Sequence, residues 1–199
     1  MSVPDVLALA RILVVPIVVW FTVVGGGTTG NLAIAAGLFA IAAVTDFLDG
    51  YLARRWRTES VLGAFLDTTA DKVLVTGALL GLVAIGRVWV WAALVIICRE
   101  IAVMGLRGVV AVTGGLVKPS FWGKIKAATQ FLAIFLAFIR LRDPWGPFYL
   151  DEWVMLLAVV ATVASFWGYV VAMWEVVVTS RTGEAPTAPR LDTTTAADP

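Results

Sequence analysis

Several residue types that enzymes commonly use for catalysis are absent or scarce in this chain. Histidine is missing, and Cys98 is the only cysteine. These absences exclude Cys/His zinc sites, nucleophile systems with a histidine base, and any disulfide within the chain. The formal net charge is only +1, so bulk charge gives no indication of a nucleic-acid partner. We expect Cys98, which lies in an apolar run, to be an inert packing residue.

Apolar residues, by contrast, dominate the sequence. They make up 60% of 199 residues, with a mean hydropathy of +0.93, whereas ordinary globular domains are roughly 45–50% apolar. Hydrophobic segments of membrane-spanning length lie near residues 4–24, 31–53, 63–84, 89–113, 122–140 and 151–178. The sequence therefore predicts an all-α polytopic membrane protein with about six transmembrane helices. We expect a membrane-embedded domain over residues 1–178 and a disordered Thr/Ala/Pro-rich tail over residues 179–199.

The ends of the hydrophobic segments predict how the chain lies in the membrane. The first segment is not expected to be a cleaved signal peptide, because Asp5 stands where a basic region belongs, and Pro16 predicts a kink or a break. With the N-terminus inside, the inner links and tail carry Arg54, Arg55, Arg57, Lys118, Lys124, Lys126, Arg181 and Arg190. The outer links carry Arg87, Arg140 and Arg142. The positive-inside rule thus favours an integral plasma-membrane protein with both termini in the cytoplasm.

Four aspartates lie inside apolar, helix-forming sequence at fixed spacing: Asp46, Asp49, Asp67 and Asp71. A charge at membrane depth costs roughly 2.5–3.5 kcal/mol on insertion scales, so four uncompensated acids would cost on the order of 10 kcal/mol. Facing carboxylates also repel one another, and divalent cations would relieve that repulsion. Carboxylate oxygens are ligands that Mg²⁺ prefers, with Mn²⁺ as an alternative ion. We therefore predict a two-metal site for phosphoryl transfer, open to the cytoplasm.

Helical spacing groups further residues with the aspartates. Residues three and four apart share a helix face, so each pair of aspartates lies on one side of its segment. Small residues and a cation complete the pattern at Gly50, Ala53, Arg54 and Gly63. Glycine inside a helix suggests close approach of a ligand, and Arg54 could donate two hydrogen bonds to a phosphate. For the small residues the alternative is ordinary helix packing, and Gly63 is mainly a packing candidate.

The pattern from Asp46 to Asp71 resembles the signature of the CDP-alcohol phosphatidyltransferases at all eight specified positions. These are six-helix membrane enzymes, usually homodimers, that move a phosphatidyl group from CDP-diacylglycerol to an alcohol and release CMP. The resemblance implies that the four aspartates bind the metals and that Asp71 is the general base. It implies CDP-diacylglycerol contacts at Asp49, Gly50, Ala53, Arg54 and Ser60. The family's Pro-Asn-x-x-Thr-x-x-Arg opening is changed here, because Asp5 and Ala8 replace the amide and the hydroxyl.

A second region resembles the branch of that family whose acceptor is glycerol 3-phosphate. Its runs are Arg99-Glu100-Ile101, Gly105-Leu106-Arg107, Lys118-Pro119-Ser120 and Gly123-Lys124-Ile125-Lys126. An anionic acceptor needs cations around it, which predicts acceptor-phosphate contacts at Arg99, Arg107, Lys118, Lys124 and Lys126. The alternative is that Arg99 pairs with Glu100 or another buried acid, and that the lysines are positive-inside loop residues.

Other functions also fit part of the sequence. A related enzyme could use phosphatidylglycerol as the acceptor, as cardiolipin synthases do, or an inositol phosphate. A cation or proton transporter would also carry acids inside the membrane, but it would not require the small residues and arginine at these spacings. A non-catalytic membrane scaffold would have no reason to keep four uncompensated acids. The sequence therefore favours the transferase.

Overall fold

A computed structural model describes residues 3–56, 61–112, 121–141 and 143–182. Its side chains are described at residues 6–45, 63, 65, 66, 68–108, 125–141, 143–167 and 170. The helices in these ranges are α1 (Val3–Val23), α2 (Thr29–Trp56), α3 (Val61–Ala84), α4 (Val90–Val112), α5 (Phe121–Ile139) and α6 (Leu150–Thr182). The only β pairing in the same ranges is an isolated bridge between Trp145 and Phe148. The predicted all-α class is confirmed.

Two of the helices are long and apolar enough to cross a membrane, judged by length and composition within the described ranges. Their windows are Val6–Val23, with a mean hydropathy of 2.5, and Leu150–Trp167, with 1.6. Shorter apolar stretches lie at Thr29–Thr45 and Ile125–Ile139. A membrane protein is therefore plausible from the helices, and six spans stay a prediction.

Two helix boundaries differ from the sequence-based expectation. The helix α1 continues through Pro16, so the proline does not break it. Proline is tolerated in apolar helices whose neighbours pack around the weakened turn. The helix α6 continues to Thr182, beyond the predicted start of the tail at Thr179.

The packing of α1 against α3 is the most extensive contact between two helices in the described structure. Two glycines of α3 allow it. A Cβ added at Gly77 would collide with Cγ1 of Val15, and one added at Gly81 would lie 3.3 Å from Cγ2 of Thr22. Small residues four apart let helix backbones approach closely. This contact fixes the position of α3, which carries Asp67 and Asp71.

Further contacts pack α2, α4 and α5 against α3, and α6 packs against α4 and α5. Phe39 of α2 is almost fully buried, and its ring lies 5.6 Å from that of Phe131 and 5.8 Å from that of Phe138, both on α5. Gly86, at a φ of 71°, takes the left-handed conformation that ends α3. The Arg87 backbone N–H donates to the Leu82 carbonyl at 2.9 Å in the same turn. The chain then reverses into α4, and the contact of Lys72 with Glu100 places the middle of α4 beside the middle of α3.

Candidate active site

The aspartate motif occupies the adjoining ends of α2 and α3. The C-terminal part of α2 carries Asp46, Asp49, Gly50, Ala53 and Arg54, and the N-terminal part of α3 carries Gly63, Asp67 and Asp71. Among these residues, side chains are described only for Gly63 and Asp71. Ser60 and Lys118 lie outside the described residues, and Lys124 lies in α5 with its side chain outside the described set. The structure therefore confirms the predicted helical placement, and the ligand roles stay predictions.

Asp71 has one carboxylate oxygen engaged and one without a partner. Its Oδ2 accepts a hydrogen bond from Lys72 Nζ at 3.1 Å. Its Oδ1 is buried and has no hydrogen-bond partner in the described part of the chain. A buried acceptor without a partner loses its hydration without compensation, at a cost of about 1–3 kcal/mol. A hard cation bound at Oδ1 would remove that cost, so the environment of Asp71 fits the predicted role as metal ligand.

Next to Asp71, an ion-pair network joins α3, α4 and α5. Glu100 of α4 is its centre and is only 4% exposed. Its Oε2 lies 2.5 Å from Lys72 Nζ of α3, and its Oε1 pairs with Lys126 of α5, which is also 4% exposed. Buried charges are costly unless they are paired with good geometry. The network therefore holds three helices in one arrangement beside the aspartates.

Arg99 extends the network to α6. Its Nη1 lies 3.3 Å from Glu100 Oε1, and its Nη2 donates to Ser165 Oγ at 2.9 Å. Arg99 thus makes the contact with Glu100 that the sequence offered as the alternative to phosphate binding. Arg99 and Lys126 both contact Glu100 Oε1, and Lys72 contacts Glu100 Oε2. We call these three residues the cationic cluster. Arg107 is exposed, further along α4.

The network contains several cations. Lys72, Arg99 and Lys126 lie around Glu100, and Lys72 also contacts Asp71. Lysine and arginine side chains donate strong, charge-assisted hydrogen bonds to phosphate oxygens. These three side chains are therefore candidate donors to a phosphate-bearing molecule beside Asp71.

Sequence reasoning did not identify Lys72 as part of the site, and it considered Glu100 only as a partner for Arg99. A signal was nevertheless present. Both are charged residues inside apolar helices, and such residues usually mark functional sites or their partners. The role of Ser165 had no comparable signal, because a single serine is common in apolar helices.

The family profile of the CDP-alcohol phosphatidyltransferases matches residues 1–164. A CDP-diacylglycerol–glycerol-3-phosphate 3-phosphatidyltransferase of Bacillus subtilis (strain 168) is 37% identical over 190 residues, covering 90% of this chain and 98% of the relative. A protein of the same name from Shigella flexneri serotype 5b is 37% identical over 174 residues, covering 83% of this chain and 90% of the relative.

A third relative is a probable phosphatidylglycerophosphate synthase of Mycobacterium tuberculosis (strain H37Rv). It is 36% identical over 141 residues, which is 70% of this chain and 67% of the relative. The profile match and these identities confirm the resemblance found in the motif. The chain belongs to the CDP-alcohol phosphatidyltransferase family.

Proposed function

We propose that this protein transfers a phosphatidyl group from CDP-diacylglycerol to glycerol 3-phosphate, giving phosphatidylglycerophosphate and CMP. A hydroxyl oxygen of glycerol 3-phosphate forms a bond to the phosphorus that carries the diacylglycerol. The pyrophosphate bond to that phosphorus breaks, and CMP leaves with the electron pair. The names of relatives that match most of the chain support this assignment.

The observation that carries the choice of acceptor is the convergence of Lys72, Arg99 and Lys126 on Glu100. These cations belong to three helices, and they are charged donors of the kind that bind phosphate oxygens. An acceptor that carries a phosphate could use them, whereas an uncharged alcohol could not. Arg107, Lys118 and Lys124 are proposed as further contacts to the acceptor phosphate.

Asp71 is proposed as the group that removes the proton from the attacking hydroxyl. It lies next to the cationic cluster through its contact with Lys72, so an acceptor phosphate bound by the cluster would bring its hydroxyl towards Asp71. Proton acceptance by a positioned carboxylate raises the rate by typically 10²–10⁴-fold. The proposed CDP-diacylglycerol contacts are Asp49, Gly50, Ala53, Arg54 and Ser60.

Metal ions are part of the proposal. Two Mg²⁺ ions, or Mn²⁺ in their place, would be held by Asp46, Asp49, Asp67 and Asp71, and would neutralise charge on the departing CMP phosphate. The unpartnered Oδ1 of Asp71 is the described feature that fits this role. Gly50 and Ala53 would leave room for the nucleotide beside these ligands.

The proposed placement is six membrane spans in the plasma membrane, with both termini and the active site on the cytoplasmic side. Two of the three outward-facing basic residues have internal partners. Arg87 donates to the carbonyls of Ala137 and Phe138 at 3.0 and 2.8 Å, and Arg140 pairs with Asp151 at 2.9 Å. Arg87 and Arg140 therefore have structural roles in the fold, and the proposed orientation rests on the larger number of Lys and Arg residues in the inner links and the tail. A homodimer, as the family resemblance implies, is proposed as the working assembly.

The experiment is an acceptor comparison with the purified protein in detergent, CDP-diacylglycerol and Mg²⁺, measuring CMP release. Parallel reactions contain glycerol 3-phosphate, phosphatidylglycerol, an inositol phosphate or no acceptor. We expect CMP release well above background only with glycerol 3-phosphate. Preferential release with another acceptor would contradict the acceptor assignment but keep the reaction class. No release with any alcohol would contradict the proposed function.

A further inference from the structure

Lys72 contacts the residue that precedes it in α3, which is an unusual pairing on a helix. Its Nζ lies 3.1 Å from Asp71 Oδ2. Neighbouring residues of a helix project about 100° apart, so their side chains do not face each other. Ordering a lysine side chain also has one of the largest entropy costs of any residue. The ammonium of Lys72 therefore needs a further contact that holds it beside Asp71.

Glu100 of α4 supplies that contact. Its Oε2 lies 2.5 Å from the Lys72 ammonium, and its side chain is only 5% exposed, whereas that of Lys72 is 28% exposed. A buried carboxylate is stable only when cations or hydrogen-bond donors accompany it. In the described contacts Oε2 pairs with Lys72, while Oε1 pairs with Arg99 and Lys126. The buried acid thus determines where the lysine ammonium lies.

Glu100 is held in turn by residues of its own helix and of α5. Its Oε1 pairs with Lys126 of α5 and lies 3.3 Å from Arg99 Nη1. Arg99 Nη2 donates to Ser165 Oγ of α6 at 2.9 Å. A continuous chain of polar contacts therefore leads from α6, through Glu100 and the ammonium that it holds, to the carboxylate of Asp71.

The orientation of the Asp71 carboxylate depends on this chain of contacts. Its side chain is 25% exposed, so packing does not enclose it completely. Its Oδ1 has no hydrogen-bond partner among the described residues, and its Oδ2 accepts from Lys72. A base must lie within hydrogen-bond reach of the proton that it removes, and a misplacement of about 1 Å can slow a reaction about 100-fold. The contact with Lys72 is therefore suited to fixing the direction of the carboxylate.

We infer that Lys72 is a positioning residue. Held by Glu100, its ammonium orients the Asp71 carboxylate for removal of the proton from the attacking hydroxyl. This role rests on the proposed function, in which Asp71 is the base. The competing role for Lys72 is a direct contact with the acceptor phosphate. The two roles differ in what a substitution changes, since loss of positioning lowers the rate at saturation, whereas loss of a phosphate contact raises KM.

The first test measures the contacts themselves and requires no turnover. The full-length protein is placed in phospholipid bilayers with ¹⁵N at the lysine Nζ atoms and ¹³C at the side-chain carboxyl groups of either aspartate or glutamate. Solid-state NMR then measures the ¹⁵N–¹³C dipolar couplings. The chain has four lysines, and the Lys72 signal is the one that disappears in Lys72→Met. We expect this signal to couple to both kinds of carboxyl group.

Variants of Glu100 test whether this acid holds the ammonium in place. In Glu100→Gln the coupling of the Lys72 signal to aspartate should fall. Glu100→Asp keeps the charge but shortens the side chain, so it should also weaken the coupling, and it serves even if Glu100→Gln fails to fold. Glu152→Gln is the matched control, because Glu152 pairs with Arg140 and should leave the coupling unchanged. No aspartate coupling in the wild type, or full coupling in both Glu100 variants, would overturn the proposal.

The second test compares single-turnover rates at saturating CDP-diacylglycerol and glycerol 3-phosphate. Lys72→Met keeps the length of the side chain without its charge, and it should lower the rate by about 10–100-fold. Lys72→Arg can donate to both carboxylates and should recover most of the rate. In an Asp71→Asn background, Lys72→Met should cause little further fall, because its effect passes through the Asp71 carboxylate.

The other outcomes separate failure of this role from failure of the proposed function. A raised KM for glycerol 3-phosphate with an unchanged saturated rate would make Lys72 a phosphate contact and overturn the proposal. An equal loss from Lys72→Met in both backgrounds would overturn it too, by showing that Lys72 supports the fold. A normal rate in Lys72→Met beside a slow Asp71→Asn would overturn the role of Lys72 alone. A normal rate in Asp71→Asn would overturn the base itself, and the role of Lys72 with it.

Discussion

Lys72 Nζ lies 2.5 Å from Glu100 Oε2, so a partly buried ion pair joins the helix of Asp71 to the helix of Arg99. The same ammonium lies 3.1 Å from Asp71 Oδ2. Lys72 therefore contacts both Asp71, the proposed base, and Glu100, the acid that also pairs with Arg99 and Lys126. Through this contact, a change at Glu100 is expected to affect both the stability of the bundle and the geometry of the reaction.

The first prediction concerns Glu100. Glu100→Gln removes the negative charge that Lys126 and Arg99 share, and it leaves buried cations uncompensated. Breaking a buried ion pair by removing one partner costs about 3–5 kcal/mol. We expect a clearly lower Tm in detergent, measured by thermal unfolding, and a large loss of CMP release.

Two further variants serve as controls for the Glu100 prediction. Glu152→Gln makes the same chemical change at the other end of the bundle and should leave CMP release near the wild-type rate. Glu100→Gln combined with Lys126→Met removes both partners of one buried pair and should recover part of the lost Tm. If the single Glu100 variant were as stable as the wild type, the network would not hold the helices together.

The second prediction separates Arg107 from Arg99. Arg107 is exposed on α4, whereas Arg99 is buried and bound to Glu100 and Ser165. Arg107→Ala should raise the KM for glycerol 3-phosphate far more than the KM for CDP-diacylglycerol, with little change in Tm. Arg99→Ala should lower the Tm as well. An equal rise of both KM values in Arg107→Ala would argue against its place in the acceptor pocket.

The helices themselves could be predicted from the sequence, because each is a mainly apolar run bounded by glycine, proline or charge. The segment predicted near 63–84 corresponds to α3, and the one near 89–113 to α4. The pairing of helices could not be predicted, since an apolar face does not specify its partner. The close contact of Gly77 with Val15 depends on the rotation of two helices that are distant in sequence.

The candidate site could likewise be predicted only in part from the sequence. The aspartate spacing is a local pattern on two consecutive helices, so the sequence was enough to predict the motif and the family. The ion pairs of Glu100 join residues on three helices, and their formation depends on how those helices rotate and pack. Sequence reasoning therefore identified Arg99 and Lys126 as candidate cations without finding that they meet at one acid.

The third prediction concerns the α1–α3 contact. Gly77→Ala places a methyl group against Val15 Cγ1, and a β-branched side chain has little freedom to move aside. We expect a loss of stability of about 1–3 kcal/mol, the usual cost of overpacking, observed as a lower Tm. Gly37→Ala is the matched control, because a Cβ there meets nothing within 4 Å. Combining Gly77→Ala with Val15→Ala should restore stability, and an unchanged Tm in Gly77→Ala would contradict the close packing.

The fourth prediction concerns the metals. Chelation with EDTA should abolish CMP release, and added Mg²⁺ or Mn²⁺ should restore it, because both ions favour oxygen ligands in octahedral geometry. Mg²⁺ should also raise the Tm of the wild type, since a ligand that binds only the folded state stabilises it. This rise should be smaller in Asp71→Asn. Full turnover in the presence of chelator would rule out the two-metal site.

The last prediction separates Asp71 from the other aspartates. Asp71→Asn keeps the shape of the side chain and one oxygen ligand but cannot accept the proton. If Asp71 is the base, the single-turnover rate should fall by roughly 10²–10⁴-fold, while the Kd for CDP-diacylglycerol stays within a few-fold of the wild type. Asp49→Asn should instead weaken nucleotide and metal binding together, because Asp49 is expected to contact both. The measurements are the Kd for CDP-diacylglycerol and the single-turnover rate of both variants at one Mg²⁺ concentration. Near-normal turnover in Asp71→Asn, or a loss of nucleotide binding as large as in Asp49→Asn, would show that Asp71 is only a ligand.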